Sequence, residues 1–348
     1  MLDVGVDLHK RFSQVGLLDE YGEIQQRRVE HVGKEMEDFL RQLQPGSRIA
    51  VEATRSWWWF VDLAEGLGHQ VVMSHPKATK AIAHARLKND KVDAAMLACL
   101  LRANLLPTVW IPPAPLRHAK ELLRHRFLLM RFRTALRNQI GALLSKRNLQ
   151  PPTRSTFTRA GRTYLEGLTL KPEAMHIREN GLSLLHQLDR MIGQLDRDLE
   201  QQMKKNPLAI RLMTAPGVGA QTAFAFITFV GEIERFRSAK HLASYFGLAP
   251  RVRSSGGHKW SGAITKEGER MMRWLLIEAA GQAARQPGPL REYYRRMVYR
   301  KGKSKARVAL AHKLIGVLFH LWKEELTYHE FLCLGAAKRV SPATSVVN

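Results

Sequence analysis

Strand-like patterning covers residues 2–8, 13–18 and 24–31, and the turn DEYGE joins the second segment to the third. The chain is therefore expected to open as a three-stranded antiparallel meander. The period then changes. A polar helix is expected over Lys34 to Leu43, a strand over Arg48 to Glu52, a helix from about Ser56 to Leu67, a strand over Gln70 to Met73 and a helix over Asp90 to Leu101. Thr108 to Ile111 closes this part before a Pro-Pro stop.

Residues 116–149 read as one long basic helix whose leucines at 122, 129, 136 and 143 recur every seven positions, the spacing of a coiled-coil seam. A loop rich in Thr, Arg and Pro (150–172) leads to a second helix, where Leu185, Leu188, Ile192, Leu195 and Leu199 recur at steps of three and four. A helical hairpin or an intermolecular coiled coil is expected, against the plainer alternative of two core helices in an ordinary bundle. Next, LMTAPGVGAQTAFAFI holds two helical runs joined at Pro216-Gly217-Val218-Gly219. Glycines there would free backbone N–H groups at a helix N-terminus to meet phosphate, as in a helix-hairpin-helix; a plain helix corner fits equally well. A helix over Ser238 to Phe246, the loop GLAPRVRSSGGHKWSGAITKEG, a helix from Glu269 to Arg285, the basic run YYRRMVYRKGKSKAR and a closing amphipathic helix to about Trp322 follow. The tail past Ala336 reads as unstructured. Three antiparallel strands followed by alternating helices and strands is the order of a ribonuclease H-like, or RuvC-like, fold. The expected architecture is thus α/β plus all-α: a RuvC-like domain over 1–113, a basic coiled-coil linker over 114–205, a mainly helical domain over 206–335 and a flexible tail over 336–348.

Charge narrows the partner. Lys and Arg outnumber Asp and Glu by 55 to 31, a formal charge of +24. At 348 residues such an imbalance points to a polyanion, nucleic acid first. A membrane-surface role is disfavoured, since no apolar run reaches the roughly 18 to 20 residues of a transmembrane helix and no signal sequence opens the chain. A cytoplasmic protein, nucleoid-associated when on DNA, is expected. The only cysteines, Cys99 and Cys333, sit among apolar neighbours and are expected to be buried, inert thiols.

Four acids stand out. Asp90 and Asp93, three apart at the head of a helix, point to one side, and Val92, Ala95, Met96 and Leu100 would hold that turn against a core. Asp7, inside LDVGVDLH, and Glu52, ending RIAVEA, are acids in strand-like surroundings. Together they make a candidate site for two Mg²⁺ ions. The bland alternative is that these acids cap helices or pair with Lys10, Lys88 and Lys91. A second constellation lies in the 251–266 loop, where Ser254 and Ser255 precede two glycines among Arg251, Arg253, His258, Lys259 and Lys266. A serine there could attack phosphorus, although a simple phosphate-binding loop has the same composition. Nucleic-acid backbone contacts are expected from Arg117, Lys120, Arg124 and Arg131 on the long helix, from Gly217 and Gly219 at the turn, and from Arg295, Arg296, Arg300, Lys301, Lys303 and Lys305. Trp57, Trp58 and Trp59 are expected mainly to pack, and His9 beside Asp7 is at most a supporting residue, since hard ions prefer oxygen.

The ordered set VGVDLHK, AVEAT, KNDKVDAAMLA, APGVG, YFGLAP, SSGG and GAITKEGERMMRWLL, spanning about residues 3 to 320, resembles the DEDD insertion-sequence transposases, bridge-RNA-guided recombinases related to the Piv site-specific invertases. The resemblance implies that the acidic tetrad is Asp7, Glu52, Asp90 and Asp93, and that Ser255, or its neighbour Ser254, is a nucleophile forming a 5′-phosphoserine link. It implies Mg²⁺ as cofactor, donor and target DNA as substrates, a structured guide RNA, and a homo-tetramer built as a dimer of dimers. The family pattern usually has Gly shortly after EAT; here Arg55, Ser56 and three tryptophans follow. A RuvC-like nuclease or Holliday-junction resolvase that uses only the acids and water is the alternative.

Overall fold

The computed structural model describes residues 2–54, 56–82, 90–153, 155–255 and 258–340, apart from the side chains at 90, 91, 252–255, 258, 259, 261 and 336–340. Two compact units divide the chain, Met1–Pro112 and Pro113–Asn348.

The first unit is built on β1 (Asp3–Leu8), β2 (Phe12–Leu18), β3 (Ile24–Glu30), α1 (Glu35–Gln42), β4 (Arg48–Glu52), α2 (Trp57–Gly66), β5 (Gln70–Ser74), α3 (Pro76–Ile82), α4 (Asp90–Arg102) and β6 (Thr108–Val109). Its sheet runs β3-β2-β1-β4-β5-β6. The first three strands are antiparallel, while β4 is parallel to β1 and β5 is parallel to β4. Side chains alternate across a strand, so the two faces can be read from the register. Val4, Val6, Leu8, Ile49 and Val51 turn to one face and join Met36, Phe39, Leu40, Phe60 and Val61 of α1 and α2 in a buried cluster. The opposite face carries Asp3, Gly5 and Asp7 of β1 beside Arg48, Ala50 and Glu52 of β4. Helix α4 lies on that face, with Leu97, Leu100 and Leu101 packed on Ala50. Gly5 permits the contact: a Cβ there would sit 2.6 Å from Ala98 N and closer still to the Ala94 carbonyl oxygen. The helix α3, opened by a proline that favours the first helical turn, was not anticipated from the pattern.

The second unit comprises α5 (Ala114–Ser145), α6 (Arg159–Gly167), α7 (Pro172–Lys204), α8 (Pro207–Met213), α9 (Ala220–Val230), a 3₁₀ turn (Ile233–Arg235), α10 (Ala239–Tyr245), β7 (Pro250–Ser255), β8 (His258–Ile264), α11 (Arg270–Ala283), α12 (Pro289–Lys301), α13 (Lys303–Lys323) and α14 (Tyr328–Val340). Helix α5 runs antiparallel along α7, as the pairs Arg126–Asp196 and Arg133–Asp189 and the approach of Ile140 to Gly181 show. The two long helices thus form a hairpin within one chain. On α7, Leu185, Ile192 and Leu199 are buried, whereas Leu188 and Leu195 are only partly covered. On α5, Leu129 and Leu143 are buried, whereas Leu122 and Leu136 are only partly covered. The main core gathers α8, α9, α10, α11 and α13 around Phe226, Phe246, Leu276 and Leu314.

Several expectations are corrected. The 150–172 segment contains α6, started by Thr158, whose hydroxyl accepts from Gly161 N. The serine-bearing loop is a two-stranded hairpin, β7–β8. Helix α14 continues to Val340, past the expected start of the tail, and residues 341–348 lie outside the described residues. Both cysteines are exposed rather than buried, because each lies on the outward side of its helix. Among the described residues no helix is long and apolar enough to cross a membrane.

Candidate functional site

The acidic face of the first unit has two ends with different electrostatics. At the amino end of β1, Asp3 is neutralised by Arg48 at 3.6 Å and Arg102 at 3.4 Å. Arg102 also donates to the carbonyls of Leu18 and Asp19. Because the carboxy-terminal turn of α4 lies over Asp3 and its middle lies over Gly5, its first turn is directed toward Asp7. Two residues of strand, about 6.6 Å, and four residues of helix, about 6 Å, cover nearly the same distance from Gly5 and Ala94. Asp7 and Glu52 follow Val6 and Val51, the last residues of the parallel β1–β4 register. The topology therefore brings the carboxy-terminal ends of two neighbouring central strands and the head of α4 to one end of the sheet.

Asp93 is half-buried on the first turn of α4; Asp90 begins that helix, and its side chain lies outside the described residues. Among the described residues no three His, Cys, Asp or Glu side chains are gathered to hold a metal. The donor chemistry of the four acids, all carboxylate oxygen, nevertheless suits hard divalent cations and fits poorly with softer ones. His9 lies 3.3 Å from Asp7, Nε2 to Oδ2, and its ring packs on Phe12 at 4.6 Å between centroids. Arg28 lies over the Phe12 ring at 3.8 Å from its centre. A continuous stack thus leads from the edge strand to Asp7. Nearby, the Ser13 hydroxyl and His31 Nε2 are 2.7 Å apart, and burial holds His31 below its ordinary pKa. Trp57 packs on the core, while Trp59 is 39% exposed and meets His31 edge-on at 4.8 Å.

In the second unit, Ser255 pairs with His258 and Ser254 with Lys259 across the β7–β8 hairpin. These residues' side chains and that of Arg253, with Gly256 and Gly257 entire, lie outside the described residues. The hairpin's root is fixed tightly. Gly247 has φ +67° and Gly268 φ +79°, and a Cβ at Gly247 would stand 2.6 Å from Glu267 N. Arg273 Nη1 donates to the carbonyls of Phe246, Glu267 and Gly268 at 3.2, 2.7 and 3.0 Å, tying the root to α11. Arg251 Nη2 donates to Thr265 O at 3.3 Å, and Lys266 adopts φ +59° at the end of the hairpin.

The expected cationic coat divides. Arg124 and Arg131 are exposed, as are Arg295, Arg296, Arg300, Lys301, Lys303 and Lys305 across the α12–α13 corner, where Gly302 has φ +77°. Arg117 and Lys120 are instead turned inward, at 3% and 7% exposure, because the α5 face they share with Leu123 and Arg126 is the one packed in the unit. Burial, with Arg235 and Arg124 close by, lowers the Lys120 ammonium pKa to about 8. The glycine turn also divides. Gly217 has φ +80°, and a Cβ there would stand 2.7 Å from Ala283 N, so it serves close approach to α11; Gly219 precedes α9 in open surroundings.

Comparison with known proteins adds to this geometry. Residues 4–148 match the DEDD IS110 transposase family model, and residues 209–295 match the model of the transposase IS116/IS110/IS902 family. The chain is 29% identical over 343 residues to a probable family 20 transposase of Pseudomonas aeruginosa, covering 93% of this chain and 98% of that protein. It is 28% identical to the transposase for insertion sequence element IS1111A of Coxiella burnetii, covering 93% and 90%. It is also 29% identical to the pilin gene-inverting protein of Moraxella lacunata, covering 76% and 75%.

Proposed function

Since the chain belongs to the IS110 family of DEDD transposases, we propose that it cleaves and rejoins donor and target DNA with two sets of residues, one on each unit. The first is the tetrad Asp7, Glu52, Asp90 and Asp93 on a RuvC-like sheet. The observation that carries it is the close seat of α4 on Gly5, which directs the helix head toward the carboxy-terminal ends of β1 and β4, where Asp7 and Glu52 lie. These four carboxylates would hold Mg²⁺, which when bound supplies Lewis-acid stabilisation of charge on phosphate oxygens. His9 orients the Asp7 carboxylate from 3.3 Å.

The second set is Ser255, with Ser254 as its alternative, near the end of a hairpin whose root is immobilised by Arg273. The serine Oγ attacks phosphorus; the Oγ–P bond forms as the P–O3′ bond breaks, giving a 5′-phosphoserine and a free 3′-hydroxyl. The serine proton passes to a carboxylate of the tetrad in another subunit, and the departing 3′ oxygen takes a proton from solvent water. Holding nucleophile and phosphate in line can supply about 7–11 kcal/mol of the barrier, so a rigid root matters. The exposed cations of α12 and α13, with Arg124 and Arg131, grip the DNA or RNA backbone; the excess of 55 basic over 31 acidic residues supports such a polyanionic partner. Guidance by a structured RNA and assembly as a dimer of dimers extend the family resemblance.

The test traps the intermediate. Incubation with nicked, labelled DNA and Mg²⁺ should yield a denaturation-resistant adduct that Ser255→Ala and Asp93→Asn each abolish. Metal-dependent nicking without any adduct would replace this reading with the water-using nuclease.

A further inference from the structure

In the second unit, the starts of α10 and α12 and the facing sides of α13 and α14 enclose a cavity of about 550 Å³. That volume falls within the range of small-ligand sites, about 300–1,000 Å³. On α13 the lining residues His312, Gly316 and His320 recur every four positions, and on α14 Tyr328, Phe331 and Gly335 recur at steps of three and four. Each helix therefore gives one face to the cavity. A Cβ added at Gly316 would meet nothing within 4 Å, so the middle of the α13 face borders open space. The His320 ring, fixed through Nδ1 by Glu324 at 2.7 Å, lies within 25° of parallel to Phe331 with 5.8 Å between centroids. Together the two rings give the cavity a flat aromatic wall.

His312 and Tyr328 supply polar groups to the same space. Burial alone holds the His312 imidazole below its ordinary pKa and lifts the Tyr328 phenol above its own, and among the described residues neither side chain has a hydrogen-bond partner. At neutral pH each therefore offers a donor and an acceptor. Lys240, which is exposed, and Lys313, whose ammonium lies 4.6 Å from the centre of the Tyr293 ring, are the lining cations, and none of the described lining residues is acidic. An apolar side chain closing the cavity would leave His312 and Tyr328 unsatisfied. A nucleobase meets all three demands: its face stacks on the wall, its edge carries donors and acceptors for His312 and Tyr328, and its phosphate is an anion for a lysine. The cavity is also within reach of the exposed cations. Lys305 is two turns from His312 on the same side of α13, about 10.5 Å, the length of three nucleotides at roughly 3.4 Å each.

We propose that this cavity takes one unstacked base of a nucleic-acid strand held at the α12–α13 corner, with His312 and Tyr328 bonding to its edge and Lys240 meeting its phosphate. The inference rests on the reading of this chain as a nucleic-acid enzyme, and adds to it a site that recognises a base where the exposed cations recognise backbone. None of the four helices that line it carries the proposed nucleophile or an acid of the tetrad. The site therefore holds a strand in place and takes no part in the chemistry.

The experiment uses the full chain and fluorescent single-stranded oligonucleotides, DNA and RNA of one sequence, each compared with an abasic strand of the same length and charge. Wild-type protein should bind the base-bearing strand at least about tenfold more tightly than the abasic one, the scale of one stacked base. Gly316→Leu fills the open space and should weaken binding of the base-bearing strand about tenfold, while its affinity for the abasic strand and the dependence of both on salt stay parental. Tyr328→Phe, which removes one hydroxyl, should cost about threefold on the base-bearing strand alone. A strand carrying iodouracil should cross-link on irradiation within residues 312–335, mapped by peptide mass spectrometry. The larger of the DNA and RNA preferences identifies the strand that supplies the base. Equal affinity of the wild type for base-bearing and abasic strands, or parental binding of the base-bearing strand by Gly316→Leu, would overturn the proposal and leave the cavity to a side chain of a protein partner. Should Gly316→Leu fail to fold, parental binding by Tyr328→Phe with cross-links wholly outside 312–335 would overturn it instead. Binding of the abasic strand and formation of the serine adduct would in either case leave the transposase reading standing and remove only this site.

Discussion

Replacing Gly5 by alanine tests whether the seat of α4 positions the acidic site. An added Cβ would stand 2.6 Å from Ala98 N and 3.0 Å from Leu97 Cβ, and it would press hardest on the Ala94 carbonyl oxygen. Backbone atoms cannot swing aside as side-chain tips do, so the whole helix must rise by roughly 1 Å to restore ordinary contact distances. Overpacking of this kind costs about 1–3 kcal/mol, several degrees in the melting of the first unit. The functional loss should be larger than the stability loss suggests, because a displacement of about 1 Å at a catalytic constellation can cost on the order of 10²-fold in rate. Gly5→Ala should therefore cleave DNA about a hundredfold more slowly while the second unit still binds DNA with parental affinity and melts unchanged. Gly16→Ala, whose Cβ would meet Ala95 Cα and N at 3.0 Å, should fall between parent and Gly5→Ala. Parental cleavage by a stably folded Gly5→Ala would refute the argument that this contact sets the helix head.

Asp93→Asn should abolish cleavage and, by relieving repulsion among neighbouring carboxylates, leave the melting temperature level or slightly higher; full activity would remove Asp93 from the site. Lys120 carries a stability signature. Its folded pKa of about 8 lies below the 10.5 of an ordinary lysine, so the unfolded chain holds the proton more tightly and stability should rise between pH 8 and 10.5 by on the order of 3 kcal/mol at most. Lys120→Met should be the more stable protein at pH 7 and lose that advantage by pH 10.5, read as the difference in thermal midpoints; an equal difference at both pH values would contradict the buried charge. Neutralising Arg295, Arg296 and Arg300 together should lower the salt slope of DNA binding by about three if all touch phosphate, and an unchanged slope would place the strand elsewhere. Both cysteines should react with a thiol reagent in the native protein, and failure of either to react would contradict its exposed position.

The first unit was the more readable half because its signals are local. Alternation in DVGVDL and FSQVGLL and the Pro-Pro stop define elements without reference to distant residues, and strand order then carries Asp7 to the neighbour of Glu52. What could not be read was the depth of contact: nothing local distinguishes a glycine that turns a chain from Gly5, which admits a helix. The serine-bearing segment reads as a loop because serine, glycine and arginine suppress the apolar alternation of a strand, yet a hairpin needs only backbone pairing, and Ser255 opposite His258 supplies it. Arg273, which fastens that hairpin through three carbonyls, had no signature at all, since its partners are main-chain atoms.

The long basic helix shows why charge pattern alone misleads. Leucines spaced by seven imply that the arginines and lysine between them form an outer coat, but the buried line of α5 passes through Arg117, Lys120, Leu123, Arg126 and Leu129, each three residues from the last. A line of that spacing drifts around a helix of 3.6 residues per turn, so it wraps α5 rather than following a straight seam. Arg126 tolerates the interior because Asp196, seventy residues away, supplies both oxygens at 2.5 and 3.1 Å. Arg133, Arg137 and Arg162 likewise share Asp189, whose carboxyl they hold below its ordinary pKa against the cost of burial. Arg126 is thus matched one to one by Asp196, whereas three guanidiniums share the one carboxylate of Asp189. Lys120 lies on the same buried line, and its pKa is depressed first by burial and then by Arg235 and Arg124. The cations of that line explain how α5 packs, so the surface offered to the polyanion expected from a net charge of +24 is the exposed one, at Arg124 and Arg131 and across the α12–α13 corner.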